Sequence, residues 1–254
     1  MVGLNETIIK SKTRVQKHGE VFTPRKIVEE MLDMPGVKEC CENLTATFLE
    51  PSAGEGAFLI AILERKLNMV ANQFNSDLVQ YENYSLLALS TLYGIELLED
   101  NAQNCTMNMF QVFYDKYRNQ ASIHETKSVN KRVLDSAKVI IAANIRQGNF
   151  LTRLTPGDTP IIFDEWKAIK LRKTTKNIKI ARTEYTLDEI YDNVHKNSGE
   201  MIDDKNKNIK LEQLSLFDDP EICCVESENR KTMRYAITRI VDVYKEEMEE
   251  VNED

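Results

Sequence analysis

The sequence predicts an α/β fold with a largely parallel sheet. Short extended segments alternate with amphipathic helical ones over the first two-thirds of the chain, and a glycine-rich turn joins one such strand to the helix after it. The 254 residues, 42% hydrophobic and 29% charged, have an ordinary globular composition, enough for one large domain or one domain with appendages.

The elements follow in order. Thr23-Pro24 reads as a helix start, with Thr as N-cap and Pro in the first helical position, and Ile27, Val28, Met31 and Leu32 repeat on one face after it. Residues 47–50 read as a short strand. Phe58, Leu59, Ile62, Leu63 and Leu67 mark the next amphipathic helix, and residues 85–90 end another. A second strand is expected over 92–96. Leu98, Ala102, Cys105, Met109, Val112 and Phe113 then spell a long helix. Residues 160–166 read as a strand leading into a basic hairpin, and 193–211 as a polar loop. Met233, Ile237, Ile240, Tyr244, Met248 and Val251 recur every three or four residues, which predicts a terminal helix whose apolar stripe packs on the body or docks on another chain.

Charge is unevenly spread over a chain of 33 Lys+Arg and 41 Asp+Glu, net −8. Residues 10–26 carry six basic residues against Glu20 alone. Residues 166–182 carry seven (Lys167, Lys170, Arg172, Lys173, Lys176, Lys179 and Arg182) and no acid, while 241–254 hold seven acids and one Lys. The two basic segments are candidate phosphate-facing surfaces, or solvated hairpin and arm. No apolar run approaches the ~20 residues that span a bilayer, and residues 1–12 lack the apolar core of a secretory signal, so a cytoplasmic protein is expected. Five cysteines with no CxxC, and three histidines scattered at 18, 124 and 195, predict neither a disulfide framework nor a metal site.

Two motifs carry chemistry. In Phe48-Leu49-Glu50-Pro51-Ser52-Ala53-Gly54-Glu55-Gly56-Ala57-Phe58-Leu59, a strand ends at Glu50, a tight glycine turn follows and a helix opens near Gly56. Glycines there let a backbone approach a ligand closely. The acid disfavours a pyrophosphate and suits a cationic end such as an α-amino group or a sulfonium. In Leu92-Tyr93-Gly94-Ile95-Glu96, an acid ends the next strand, where α/β nucleotide sites hold ribose hydroxyls; a plain surface acid is the other reading. The gap of 40 residues from Gly56 to Glu96 exceeds the usual ~20, and a helical insertion over 68–90 fills it.

These segments, together with Gly19-Glu20-Val21-Phe22-Thr23-Pro24 and Gly148-Asn149-Phe150-Leu151, resemble the successive motifs of adenine-N6 DNA methyltransferases. More narrowly, they resemble the methylase and modification subunits of restriction–modification systems whose catalytic half comes last. The resemblance covers about residues 10–155. It implies a Rossmann-like methyltransferase fold and S-adenosyl-L-methionine as cofactor. It assigns the cofactor to Phe22, Thr23, Pro24, Glu50, Pro51, Ala53, Gly54, Gly56, Glu96 and Asn149. At Asn149 the family more often has Asp, although an amide still accepts and donates at an adenine edge. Phe22 is alternatively a core aromatic beneath the first helix.

One family motif is absent. Transfer to the adenine amine needs a flipped base, a stacking aromatic and acceptors for the amine protons, which the family supplies with Asn/Asp/Ser-Pro-Pro-aromatic. The prolines here stand at 24, 35, 51, 156, 160 and 220, no two adjacent. No catalytic residue is identified. Three readings follow. The first is a cofactor-binding subunit of a split DNA methyltransferase, inactive alone, whose partner polypeptide brings the catalytic and target-recognition half. The second is a non-catalytic binding or regulatory module that docks on a partner or on DNA. The third is a methyltransferase acting alone on another substrate, which needs a catalytic acceptor not found here. The expected organisation is a basic arm (1–20), a cofactor-binding domain (21–155), a basic hairpin extension (156–192), a polar linker (193–228) and an acidic-tailed amphipathic helix (229–254).

Overall fold

The computed structural model describes residues 9–126, 128–202 and 233–251. Within these, the chain is mixed α/β with small sheets, consistent with a methyltransferase-like domain. A short helix, α1 (Lys12–His18), is capped by the Ser11 hydroxyl and ends on Gly19. Then come α2 (Arg25–Leu32), α3 (Val37–Cys41), β1 (Phe48–Glu50), α4 (Ala57–Gln73), α5 (Leu78–Leu89), β2 (Leu92–Glu96), α6 (Glu99–Ile123), α7 (Lys131–Asn144) and β3 (Ile145–Gln147). The strands pair in parallel in the order β1-β2-β3, with Phe48 opposite Leu92 and Gly94 opposite Ile145. Helix α2 starts one step later than Thr23-Pro24 predicts. Pro24 itself is the cap residue, and its carbonyl accepts from Ile27 and Val28, so the missing proline N–H falls outside the helix.

The central strand shows how the layers stack. Side chains alternate across a strand, so Leu92 and Gly94 face α4, where a Cβ on Gly94 would lie 2.8 Å from Leu59. Tyr93 and Ile95 face the other way, onto Ile161, Phe163 and Leu187. Those residues belong to an antiparallel unit formed by β4 (Ile162–Ile169), β5 (Lys179–Thr186) and the short α8 (Leu187–Tyr191). Helices thus cover one face of the parallel sheet and an antiparallel hairpin the other. The Tyr93 hydroxyl donates to the Asp164 carbonyl (2.9 Å), and the Trp166 indole N–H donates to the Asn144 side chain, which in turn donates to the Ser90 and Leu92 carbonyls.

Helix α5 is buried from Gln80 to Leu89. Its polar side chains are spent on the hairpin tip: Tyr84 donates to the Arg172 carbonyl (2.6 Å), Gln80 to the Lys173 carbonyl (3.0 Å), and Asn83 accepts from the Ile178 N–H (3.0 Å). The insertion that widens the gap between the glycine turn and Glu96 is therefore the platform for the hairpin.

The last segment corrects the sequence expectation. Over residues 233–251 the chain forms no α-helix; it forms β6 (Met233–Tyr235), β7 (Thr238–Arg239), a 3-10 helix (Ile240–Lys245) and β8 (Met248–Glu250). Strand β7 extends the β4-β5 sheet, and β6 pairs with β8. The three-and-four spacing is real, but the stripe is not one buried face: Met233, Ile237 and Met248 are exposed, and of the stripe Ile240 alone is fully buried, together with Val241 and Val243 from outside it, in the 3-10 turn. β-Branched residues at Ile237, Thr238, Ile240, Val241 and Val243 favour extended backbone over helix. Part of the expected linker (203–228) lies outside the described residues.

Candidate functional site

The site lies at the carboxyl end of β1. A parallel strand delivers Glu50 to the sheet edge; the turn that follows is held to β2 by the Ala53 N–H, which donates to the Ile95 carbonyl (2.9 Å), and closed on itself by the Gly56 N–H, which donates to the Ala53 carbonyl (2.8 Å). Two positions require glycine. Gly54 has φ +55°, a left-handed conformation that side chains with a Cβ adopt at a cost. Gly56 has φ +94°, and a Cβ there would lie 2.9 Å from the Cys105 sulfur, so it also sets how closely α4 approaches α6.

Glu96 is buried, 5% exposed, and both oxygens are in use: one accepts from the Gly54 N–H (2.8 Å), the other from the Leu98 N–H (2.9 Å). The second strand-end acid therefore fixes the glycine turn. Glu50 is half-buried, and its carboxyl is pushed above the usual range by burial, opposed only by the Ser52 N–H that donates to it (3.1 Å). Among the described residues no cation pairs with it, and a desolvated carboxylate so placed attracts one.

A cavity of about 620 Å³ brings together Phe22, Thr23, Pro24, Glu50, Ala53 and Gly54. Gly56 and Glu96, also expected here, do not line it; Glu96 is linked to the lining through the Gly54 N–H that it accepts. Two expected residues lie elsewhere. Pro51 is exposed on the outside of the turn. Asn149 spends its side-chain oxygen on the Leu151 N–H (2.9 Å) and Thr152 N–H in its own loop and does not line the cavity.

Sequence reasoning missed the strap across this site. The Lys10 ammonium reaches Glu55 (2.7 Å) and Asp100 (3.0 Å) and stands 5.7 Å over the Phe22 ring. Arg14 joins Glu20 (2.5 Å) to Asp100 (3.0 Å), and Asn101 donates to Glu20 (2.6 Å). These cations hold the Asp100 carboxyl down to about 2. The basic arm is thus engaged with the body at Lys10 and Arg14. On α6, Asn104 and Asn108 donate to the side chain and carbonyl of Glu55 (2.8 and 3.0 Å) and brace the turn from behind. The quoted Gly19-Glu20 was the one available signal, since its acid is the strap's anchor.

On the hairpin, Lys167, Lys170, Arg172, Lys173, Lys176 and Lys179 are exposed, with Lys176 paired to Asp77. Arg182 is not available to a phosphate. It is wedged between Trp166 and Tyr235 and bridges Asp164 (3.1 Å) and Glu246 (2.7 Å). Among the described residues, no helix is long and apolar enough to cross a membrane, and no group of three or more His, Cys, Asp or Glu side chains is placed to hold a metal ion.

A family model described as N-6 DNA Methylase matches residues 5–150, from the basic arm through β3 to the Asn149-Phe150 loop. No curated protein and no solved structure matches the chain.

Proposed function

This chain belongs to the N-6 DNA methylase family, and we propose that it is the S-adenosyl-L-methionine-binding subunit of an adenine-N6 DNA methyltransferase of restriction–modification type. In this reading residues 21–155 are an incomplete Rossmann-like domain working in the cytoplasm. A partner polypeptide brings the Pro-Pro-aromatic motif and target recognition. The observation that carries it is the pairing of strand-end acids with one glycine turn: Glu50 desolvated at the cavity, Glu96 locked behind it by Gly54 and Leu98.

The donor set fits that cofactor. When bound, it supplies a methyl group on a cationic sulfonium. Glu50 offers a carboxylate whose ionised form a cationic group stabilises. Each Glu96 oxygen already accepts one N–H and retains acceptor capacity for a ribose hydroxyl, at a position set in advance by the turn. Phe22 gives an aromatic wall beside Gly54. The exposed hairpin lysines add weak, salt-sensitive affinity for DNA phosphates.

A second reading, the non-catalytic module, is favoured by Asn149, whose side chain is turned into its own loop rather than toward the cavity. Transfer of labelled methyl from S-adenosyl-L-methionine to mixed-sequence DNA separates the two. The split-enzyme reading expects no incorporation by this chain alone and adenine methylation when a Pro-Pro-aromatic partner is added. Robust incorporation by the chain alone would falsify it, and silence with the partner present, despite cofactor binding, would favour the second.

A further inference from the structure

We propose that the free edge of β1, with the apolar hollow on each of its faces, seats a strand from a second, different polypeptide, running parallel to β1. The proposal deepens the split-enzyme reading and rests on it for the partner's identity.

The backbone makes the first argument. The Phe48 N–H donates to the Thr91 carbonyl (2.9 Å), so Phe48 turns its polar groups toward β2. In a parallel ladder the residues alternate, which points the N–H and C=O of Leu49 away from β2. Among the described residues β1 pairs with β2 alone. Protein sheets blunt exposed edges with charges, prolines or bulges. Here the strand reads Phe48-Leu49-Glu50; the residue whose backbone faces the open side, Leu49, is apolar, and Pro51 comes only after the strand has ended. Leu49 is 42% exposed.

The faces make the second. Parallel strands are covered on both sides, yet at β1 each side holds a hollow. One, of about 210 Å³, lies toward α2 and α4 and is lined by Met31, Met34, Phe48 and Leu59. The other, of about 390 Å³, lies toward the antiparallel unit and is lined by Tyr93, Phe163, Leu187 and Ile190. Leu49 lines both, so the two hollows meet at the strand edge. Met31, Met34 and Ile190 are 46%, 54% and 45% exposed, which makes one continuous apolar surface around an open ladder.

Direction and identity follow from topology and charge. In a doubly wound sheet the ligand cleft lies outside the carboxyl ends of the strands, where the strand order reverses. The order β1-β2-β3 runs one way only, so the reversal falls at the free edge of β1, beside the cavity that Glu50 enters. A parallel neighbour ends on that same side and sets the loop after it against the cavity. Glu50 lines one hollow and Glu165 the other, neither in an ion pair among the described residues, while Asp164 and Glu189 beside Glu165 are held by Arg182 and Lys196. A second copy would bring the same acids together, whereas a strand flanked by Lys or Arg complements them.

The test uses the full chain and a blocked peptide, Lys-Val-Ile-Val-Ile-Lys, at about 1 mM, a concentration that reveals binding as weak as ~4 kcal/mol. Amide hydrogen exchange is followed residue by residue. The expected result is a Leu49 amide that exchanges freely in the chain alone and slows at least about tenfold with peptide. A paramagnetic label on the peptide's carboxyl end should broaden Ser52 and not Thr47. Leu49→Lys and Met34→Lys, both at exposed positions, should abolish the protection while melting as the wild type does. Three results would overturn the proposal: a Leu49 amide already protected in the chain alone, whether by residues 203–232 or by self-association; no slowing with peptide; or broadening of Thr47 instead. Calorimetry of the wild-type chain with S-adenosyl-L-methionine, set beside its peptide result, separates the two readings. A chain that seats the peptide but binds no cofactor keeps the surface and refutes the cofactor assignment, and the reverse refutes the surface alone.

Discussion

The parallel sheet and the antiparallel unit packed on it are held together by different physics. Around β1 and β2 the decisive contacts are made by main chain and by the absence of side chains: glycines at φ +55° and +94°, amides on strand-end carbonyls, and an acid braced by two N–H groups. The antiparallel unit is held by buried charge. Arg182 sits over Tyr235 and bridges Asp164, Glu184 accepts from the Tyr235 hydroxyl (3.0 Å), and Asp242 is gripped by Arg132 and Arg239. The first arrangement leaves one carboxylate, Glu50, without an ion pair among the described residues. The second pairs its buried charges internally and turns the hairpin lysines to solvent. The candidate site and the scaffold thus differ at their central acid: Glu50 is in no ion pair among the described residues, whereas Asp164 is held by Arg182.

That contrast can be broken by paired substitutions. Arg182→Ala strands Asp164, which is 1% exposed and whose carboxyl burial already pushes up; the loss should be about 3–5 kcal/mol of stability in chemical denaturation, with unchanged cofactor affinity in the folded fraction. Gly54→Val should do the reverse, weakening cofactor binding roughly a hundredfold by forcing a β-branched residue into a left-handed turn, at a strain of only about 1–2 kcal/mol in the fold. Loss of both properties in either variant would mean that the two regions are not separable.

Smaller effects sharpen it. Glu96→Gln keeps the shape but removes the charge and turns one of the two acceptor oxygens into a donor that faces an N–H, and should weaken binding at least about tenfold by calorimetry, since hydrogen bonds to charged groups contribute roughly 1.5–3 kcal/mol. Glu50 gives a pH signature. Its folded pKa is raised by burial, so its ionisation opposes folding above the unfolded value near 4.3. Glu50→Gln should therefore raise the melting temperature at neutral pH, an advantage that fades below the ordinary carboxylate range, while lowering affinity for a cationic ligand. Wild-type affinity should fall as pH drops through the raised pKa. The smallest effect is expected from the rim: Lys170→Glu with Lys173→Glu should reduce the salt dependence of DNA association by about one unit of slope per lysine that contacts phosphate, with cofactor binding unaltered.

What was legible in the sequence follows the same division. The β1 turn could be read because its chemistry is local: a strand-end acid, two glycines and a helix start within nine residues, 50–58. The strap was not, because Lys10 and Asp100 stand 90 residues apart and nothing in either segment names the other. The docking of the hairpin on α5 is illegible for the same reason, as Tyr84 and Arg172 meet across 88 residues. The basic hairpin was found by its charge run, but that run does not tell Arg182, whose charge is buried, from Lys170, whose charge is exposed. Asn149 misled because a motif position does not report which way its side chain turns. At the end of the chain, three-and-four spacing suited a helix while β-branched residues favoured the strands and 3-10 turn that form.

The central claim is that the turn between β1 and α4 holds S-adenosyl-L-methionine. Titrating the purified chain with it in a calorimeter at neutral pH tests this most directly. The account predicts one site with a dissociation constant of roughly 1–100 μM, or about −8 to −5.5 kcal/mol, weakened by Glu96→Gln, weakened most by Gly54→Val and unmoved by Leu49→Lys. No heat at millimolar cofactor, or equal affinity in the wild type and Gly54→Val, would contradict it.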